Sequence, residues 1–166
     1  MTKLRKYIRS HFWLLAKKTK WTFLWRTWLE AVLLAYVVSS VAQAVFPIGP
    51  RADLARMTMW NLLALVVVIG PLAETIAFQC LPLELTTALA IKRSIRITLS
   101  VIPFALAHHF SGIPTVVAAG GIGGFYFAFT YERWRKESLA VGVLMTFLIH
   151  SSFNLVGVLG ILLQRN

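Results

Sequence analysis

Hydrolysis of a peptide bond needs a base to activate water and hydrogen-bond donors to hold the oxyanion that develops. Four side chains of this sequence could supply both: Glu74, His108, His150 and Asn154, which fall in three separate apolar stretches. A charged group near the centre of a bilayer costs at least about 2.5 to 3.5 kcal/mol, so each ionisable residue in such a stretch asks for a reason. Among the six acidic residues only Glu74 is deep in an apolar run; Glu30 stands at the edge of one, Asp53 in a connecting loop, Glu84 beyond Pro82, and Glu132 and Glu137 in a basic loop. His11 belongs to a basic N-terminal segment, whereas His108 and His150 lie in or at the end of apolar runs. Side chains four apart share a helix face, which pairs Phe104 with His108, Thr75 with Gln79, and His150 with Asn154. His109 turns about 100° away from His108 and reads as a packing or loop residue. A lone intramembrane histidine is more often structural than catalytic, but a glutamate, two histidines and an asparagine at one depth make a hydrolytic site. A glutamate and two histidines are also plausible zinc ligands, although their spacing compels no metal.

The elements that must position these residues are membrane helices. At 58% apolar residues in a 166-residue chain and a mean hydropathy of +0.71, too little polar surface exists to cover a soluble globule. Apolar runs at Leu29 to Phe46, Met57 to Leu81, Ile97 to Phe110, Val116 to Tyr131 and Leu139 to Leu163 approach the ~20 helical residues needed to cross a bilayer. The third is the shortest. The apolar/polar alternation of barrel strands is absent, so the fold expected is all-α, a polytopic transmembrane helical bundle of about five spans. At about 1.5 Å per residue, His108 and His150 both stand roughly 17 Å from the inner edge of their spans, and Glu74 reaches a similar level. Gly70-Pro71 precedes Glu74; a helical proline lacks the amide donor and frees the carbonyl four residues back, at Val67. Pro103 stands five residues before His108. Gly120 and Gly124 form a small-xxx-small pattern whose ordinary meaning is close helix packing. Cys80 is the only cysteine, which leaves no internal disulfide or cysteine-based metal cluster.

The net charge of +11 does not describe a nucleic-acid groove, because the 17 basic residues collect at the ends of the spans. Fourteen lie before the first span, between the second and third, and between the fourth and fifth; only Arg51, Arg56 and Arg165 fall in the alternate segments. By the positive-inside rule the N-terminus is cytoplasmic and the C-terminus outside, as in a bacterial inner membrane protein. Residues 1–28 mix Lys and Arg with Phe12, Trp13, Leu14, Trp21 and Trp25, which suits a basic amphipathic segment lying on anionic lipid. Residues 29–166 then form the transmembrane domain.

With these residues in view, the chain resembles the CAAX protease and bacteriocin-processing family of intramembrane peptidases, whose core carries EExxxR, FxxxH and HxxxN on successive helices. The corresponding stretches are Glu74 to Gln79, Phe104 to His108 and His150 to Asn154. The Gly-rich stretch Gly120 to Phe129, leading to Tyr131-Glu132-Arg133, resembles the helix between the second and third motifs, and the resemblance covers residues 57–159. It implies that Glu74 and His108 position and activate water, that His150 and Asn154 stabilise the oxyanion, and that no metal cofactor is needed, although zinc is an option if the chemistry is that of a metalloprotease. Two positions depart from the pattern: the second glutamate is Thr75 and the arginine is Gln79. Because they share a helix face, an acid and a base have been lost together, leaving neutral side chains that can still hydrogen-bond as a support for Glu74. The activity implied is an intramembrane endopeptidase of glutamic type, cleaving a membrane-associated peptide or protein near the inner leaflet. The alternative is a noncatalytic protein of the same fold that binds or chaperones a membrane partner.

Overall fold

The structure, a computed structural model, describes residues 3–47, 54 and 56–163; Arg51, Asp53 and Arg165 lie outside them. The described chain is helical, with no strand. Helix α1 (Lys3–Ala16) leads into α2 (Lys20–Val45), so residues 20–28 are continuous with the span expected from Leu29. Helix α3 runs Met59–Ala88, α4 is Arg93–Ala107, α5 runs Ile113–Trp134 and α6 is Leu139–Leu163. Four of these, α2, α3, α5 and α6, are long and apolar enough to cross a membrane. The expected third span is α4, whose 15 residues reach only about 22 Å. It stops at His108, and after a 3₁₀ turn (His109–Ser111) the chain reverses at Gly112, with φ 87°, a backbone that glycine adopts freely. Pro114 then fits the first turn of α5, where no amide donor is needed.

Consecutive helices α2 to α6 run antiparallel. Arg96 meets Glu132 while Phe104 lies by Gly124, and His150 meets Glu74 while Asn154 reaches Val66. The start of α2, the α3–α4 turn and the α5–α6 turn therefore share one end of the bundle, and they carry Lys20, Lys92, Arg93, Arg133, Arg135 and Lys136. This basic end is cross-linked by Arg96 on Glu132 (2.8 and 2.9 Å), by Arg135 on Glu84, and by Lys20 on Glu137 at 2.8 Å. Helix α1 lies across α5, with Phe12 against Phe125 and Phe129, while His11 and the Tyr126 hydroxyl both meet the Glu30 carboxylate.

The bundle is apolar outside as well as inside. Leu33, Val37, Val41, Ile69, Ile102 and Leu144 are exposed; each would gain about 1.5 to 3 kcal/mol on burial away from water, so their solvent is lipid. Helix α5 is the central element, with 56% of its apolar window buried against 11% to 28% in the other three long helices. Its glycines explain why. A Cβ on Gly120 would stand 2.5 Å from the Ala105 Cα, and one on Gly124 would stand 2.6 Å from the Phe104 ring, so α4 packs directly on the α5 backbone.

Candidate active site

Helix α3 is not a uniform α-helix. Leu63–Ile69 and Thr75–Cys80 are wound in the wider i→i−5 register, where the Gly70 amide donates to Leu65 and the Leu81 amide to Ile76. Such π segments often mark functional sites. The register moves the carbonyl that Pro71 leaves without a donor: it is Val66, five residues back, rather than Val67 as the α-helical count suggested. The Asn154 amide donates to that Val66 carbonyl at 2.9 Å. Gly70 is required by the same winding, since a Cβ there would stand 2.7 Å from the Leu65 oxygen. Pro82 repeats the device, with the Phe78 carbonyl, four residues back, accepting from the Ser100 hydroxyl at 2.6 Å.

Glu74 lies between the two π segments. One of its carboxylate oxygens stands 3.4 Å from His150 Nε2. The His150 ring is 1% exposed, stacked on Phe127 at 4.2 Å and 23°, and edge-on to Phe104 at 5.6 Å and 86°. His108, capping α4, donates from Nδ1 to the Phe104 carbonyl at 2.8 Å, and the Phe104 ring packs against it at 4.7 Å. With Nδ1 carrying the proton, the second nitrogen of the neutral ring, Nε2, is an acceptor. Phe104 thus touches both histidines.

Glu74, His108 and Asn154, with Phe153, line a cavity of about 720 Å³ bounded by α2, α3, α5 and α6, within the size range of ligand pockets. His150 lies beside Glu74 as part of the packed wall. Among the described residues no three His, Cys, Asp or Glu side chains come together as a metal-binding group. What the arrangement offers is a carboxylate facing the cavity, an imidazole against it, a second imidazole with a free acceptor, and a side-chain amide.

A family model described as type II CAAX prenyl endopeptidase Rce1-like matches residues 55–156. The chain belongs to this Rce1-like family. No curated protein and no solved structure matches it. The match contains Glu74, His108, His150 and Asn154; with four apolar helices of crossing length, this makes the chain an integral membrane protein of a protease family, whose substrates are membrane-associated peptides or proteins.

In this Rce1-like chain the departing positions Thr75 and Gln79 are both fully buried, yet the Thr75 hydroxyl and both ends of the Gln79 amide make no hydrogen bond among the described residues. Both stand in the second π segment, where four residues no longer make a full turn, and they bond neither each other nor Glu74, so the hydrogen-bonded support expected from sequence is not formed. His109 is exposed and donates to the Leu106 carbonyl, outside the cavity. Glu84 is held at the basic end by Arg135 and by the Tyr131 hydroxyl at 2.9 Å. Two contributors were missed from sequence: Phe127, which stacks on His150, and Val66, which offers only its backbone.

Proposed function

We propose that the chain hydrolyses a peptide bond of a membrane-associated peptide or protein, with Glu74 as general base. The observation that carries this reading is the Glu74 carboxylate on the cavity wall with His150 Nε2 at 3.4 Å. Glu74 takes a proton from a water in the cavity, with the acceptor nitrogen of His108 orienting that water, and the water oxygen bonds to the scissile carbonyl carbon. The carbonyl oxygen becomes an oxyanion, held by the Asn154 N–H not used on Val66. His150, with Nε2 at 3.4 Å from the carboxylate, flanks Glu74 and limits where that carboxylate can turn. The tetrahedral species collapses, the C–N bond breaks, and the proton on Glu74 passes to the leaving amine, giving a carboxylic acid and an amine. In this reading Glu74 alone activates the water, without a metal ion.

A second reading, a noncatalytic member that binds a membrane partner, draws on Thr75 and Gln79 standing buried without partners where the family pattern has an acid and a base. Replacing Glu74 by Gln separates the two. General-base catalysis contributes about 10² to 10⁴-fold, so Glu74→Gln should lower cleavage by that factor at unchanged folded yield. Cleavage at the parental rate by this variant would remove Glu74 from the base role.

Two further parts of the reading concern the membrane. Positive-inside logic places the basic end of the bundle in the cytoplasm of a bacterial cell. Leu4, Tyr7, Ile8 and Leu14, on one side of α1, are exposed, so this face meets the membrane surface, with the exposed Lys3, Lys6, Lys17 and Lys18 available to anionic headgroups.

A further inference from the structure

On the flank of the bundle α2 and α6 enclose a second groove, of about 560 Å³, which shares only Val156 with the lining of the catalytic cavity. Its α2 wall is Trp21, Leu24, Trp25 and Trp28, at the i, i+3, i+4 and i+7 spacing of one helix face. Leu148, Ser152, Leu155 and Leu159 form the wall on α6. Trp21 is 78% exposed and Trp25 53%, so both rings stand largely uncovered by the described chain. Leu24, Trp28 and Ile149 pack together with Phe104 and Phe127. The floor of the groove is therefore continuous with the core, and the slot is preformed rather than a gap between loose helices.

The α2 wall begins one residue after Lys20, beside the turn that joins α1 to α2. Lys20 is neutralised by Glu137 at 2.8 Å. Lys17, Lys18 and Arg26 are exposed and meet no carboxylate among the described residues. Lys17 lies over the Trp13 ring at 3.4 Å, and the Arg26 guanidinium is 5.5 Å from the centre of the Trp25 ring, so Arg26 borders the groove itself. Uncompensated cations at one end of an apolar slot complement a molecule with an anionic head and a hydrocarbon tail. The lining decides against a helix as the occupant. Membrane helices approach one another on small residues, and Ser152 is the one small residue in these walls, its hydroxyl donating to the Leu148 carbonyl at 2.8 Å.

We propose that this groove binds an anionic phospholipid, with one acyl chain between the tryptophans of α2 and the leucines of α6 and the phosphate at Lys17, Lys18 and Arg26. Such a site differs from the attraction of α1 to a charged surface in having walls, a floor and a defined place for the tail. It does not depend on the proposed hydrolysis.

Quenching of tryptophan fluorescence tests it. The full chain is reconstituted in phosphatidylcholine vesicles with increasing fractions of phosphatidylglycerol, or of phosphatidylcholine, brominated on the acyl chains, because bromine quenches an indole that it touches. The anionic lipid should quench more than the zwitterionic one at each fraction. That excess should vanish when Trp21, Trp25 and Trp28 are replaced together by Phe, which leaves Trp13, Trp60 and Trp134 as reporters of general lipid contact. Lys18→Gln and Arg26→Gln, both at exposed positions, should each lower the selectivity for the anionic lipid by about fivefold. Equal quenching by the two lipids, or an excess that survives the triple Phe change, overturns the proposal. Should the triple variant not fold, the two Gln variants decide, and unchanged selectivity in both overturns it. Ser152→Cys, inside the groove, tests a second copy of the chain as the occupant. Disulfide-linked dimer in the vesicles at the level of the unsubstituted chain is the expected result, and dimer above that level overturns the lipid assignment.

Discussion

Replacing Asn154 by Ala removes the donor to the Val66 carbonyl, and Pro71 cannot take its place because it has no amide hydrogen. Leaving a buried acceptor without its donor costs about 1 to 3 kcal/mol. Val66 and Asn154 both line the cavity, where water can reach the carbonyl, so the loss belongs in the lower part of that range, about 1 to 2 kcal/mol. At roughly 2 to 4 °C per kcal/mol for a chain of this size, the thermal midpoint in detergent should fall by about 2 to 8 °C. The structure also predicts where the loss can be recovered. In the i→i−5 register, Pro71→Ala returns an N–H to the position that faces Val66. The penalty of Asn154→Ala should therefore be smaller in the Pro71→Ala background, by more than the ~0.5 kcal/mol within which independent mutations add. The assay is thermal unfolding of the four proteins of this cycle in one detergent. Equal effects of Asn154→Ala in both backgrounds would refute the assignment of Asn154 as the replacement for the missing proline amide.

Two further predictions follow from burial and close packing. Thr75→Glu or Gln79→Arg alone places an uncompensated charge in a fully buried layer and should reduce folded yield, while the double variant, which restores the acid and the base of the family pattern, should recover part of the loss; additive effects in the double-mutant cycle would show that the two positions are not partners. Gly120→Ala forces a Cβ to within 2.5 Å of the Ala105 backbone and should cost about 1 to 3 kcal/mol by overpacking, read as a lowered unfolding midpoint, whereas Gly160→Ala, with nothing within 4 Å, should leave it unchanged.

The helical class was legible because no aqueous fold could cover so many apolar side chains, and the shared depth of His108 and His150 was legible because helix rise is nearly constant. Close helix packing could be read from Gly120 and Gly124, but not that α4 is the partner. Other features left no trace at the level of residue type. The π register of α3 depends on a choice between carbonyls one residue apart, so the sequence count fell on Val67 where the structure uses Val66. The shortness of α4 is set by the reversal at Gly112, which an apolar run continuing to Phe110 conceals. His11 and Glu30 read as a surface histidine and an edge carboxylate; their meeting with Tyr126, 96 residues beyond Glu30, needed the packing of α1 across α5. Phe127 resembles any aromatic residue of a buried helix until His150 is found stacked on its face.

Lipid tails are as apolar as the side chains they surround, so burial of apolar area supplies little force to hold one membrane helix against another. Position must come from close packing and from polar groups that find partners only in one arrangement. The two prolines of α3 create such groups. Each leaves a carbonyl without its helical donor, and each carbonyl is taken by a different neighbour, Val66 by Asn154 of α6 and Phe78 by Ser100 of α4. Glu74 lies between Pro71 and Pro82, on the segment those two hydrogen bonds pin. A carboxylate placed this way keeps its distance from His150 on α6 and from His108 on α4 because the helices that carry the histidines are the helices that hold the freed carbonyls. The prolines that weaken α3 as an isolated helix thereby fix it against the two elements with which its glutamate has to work.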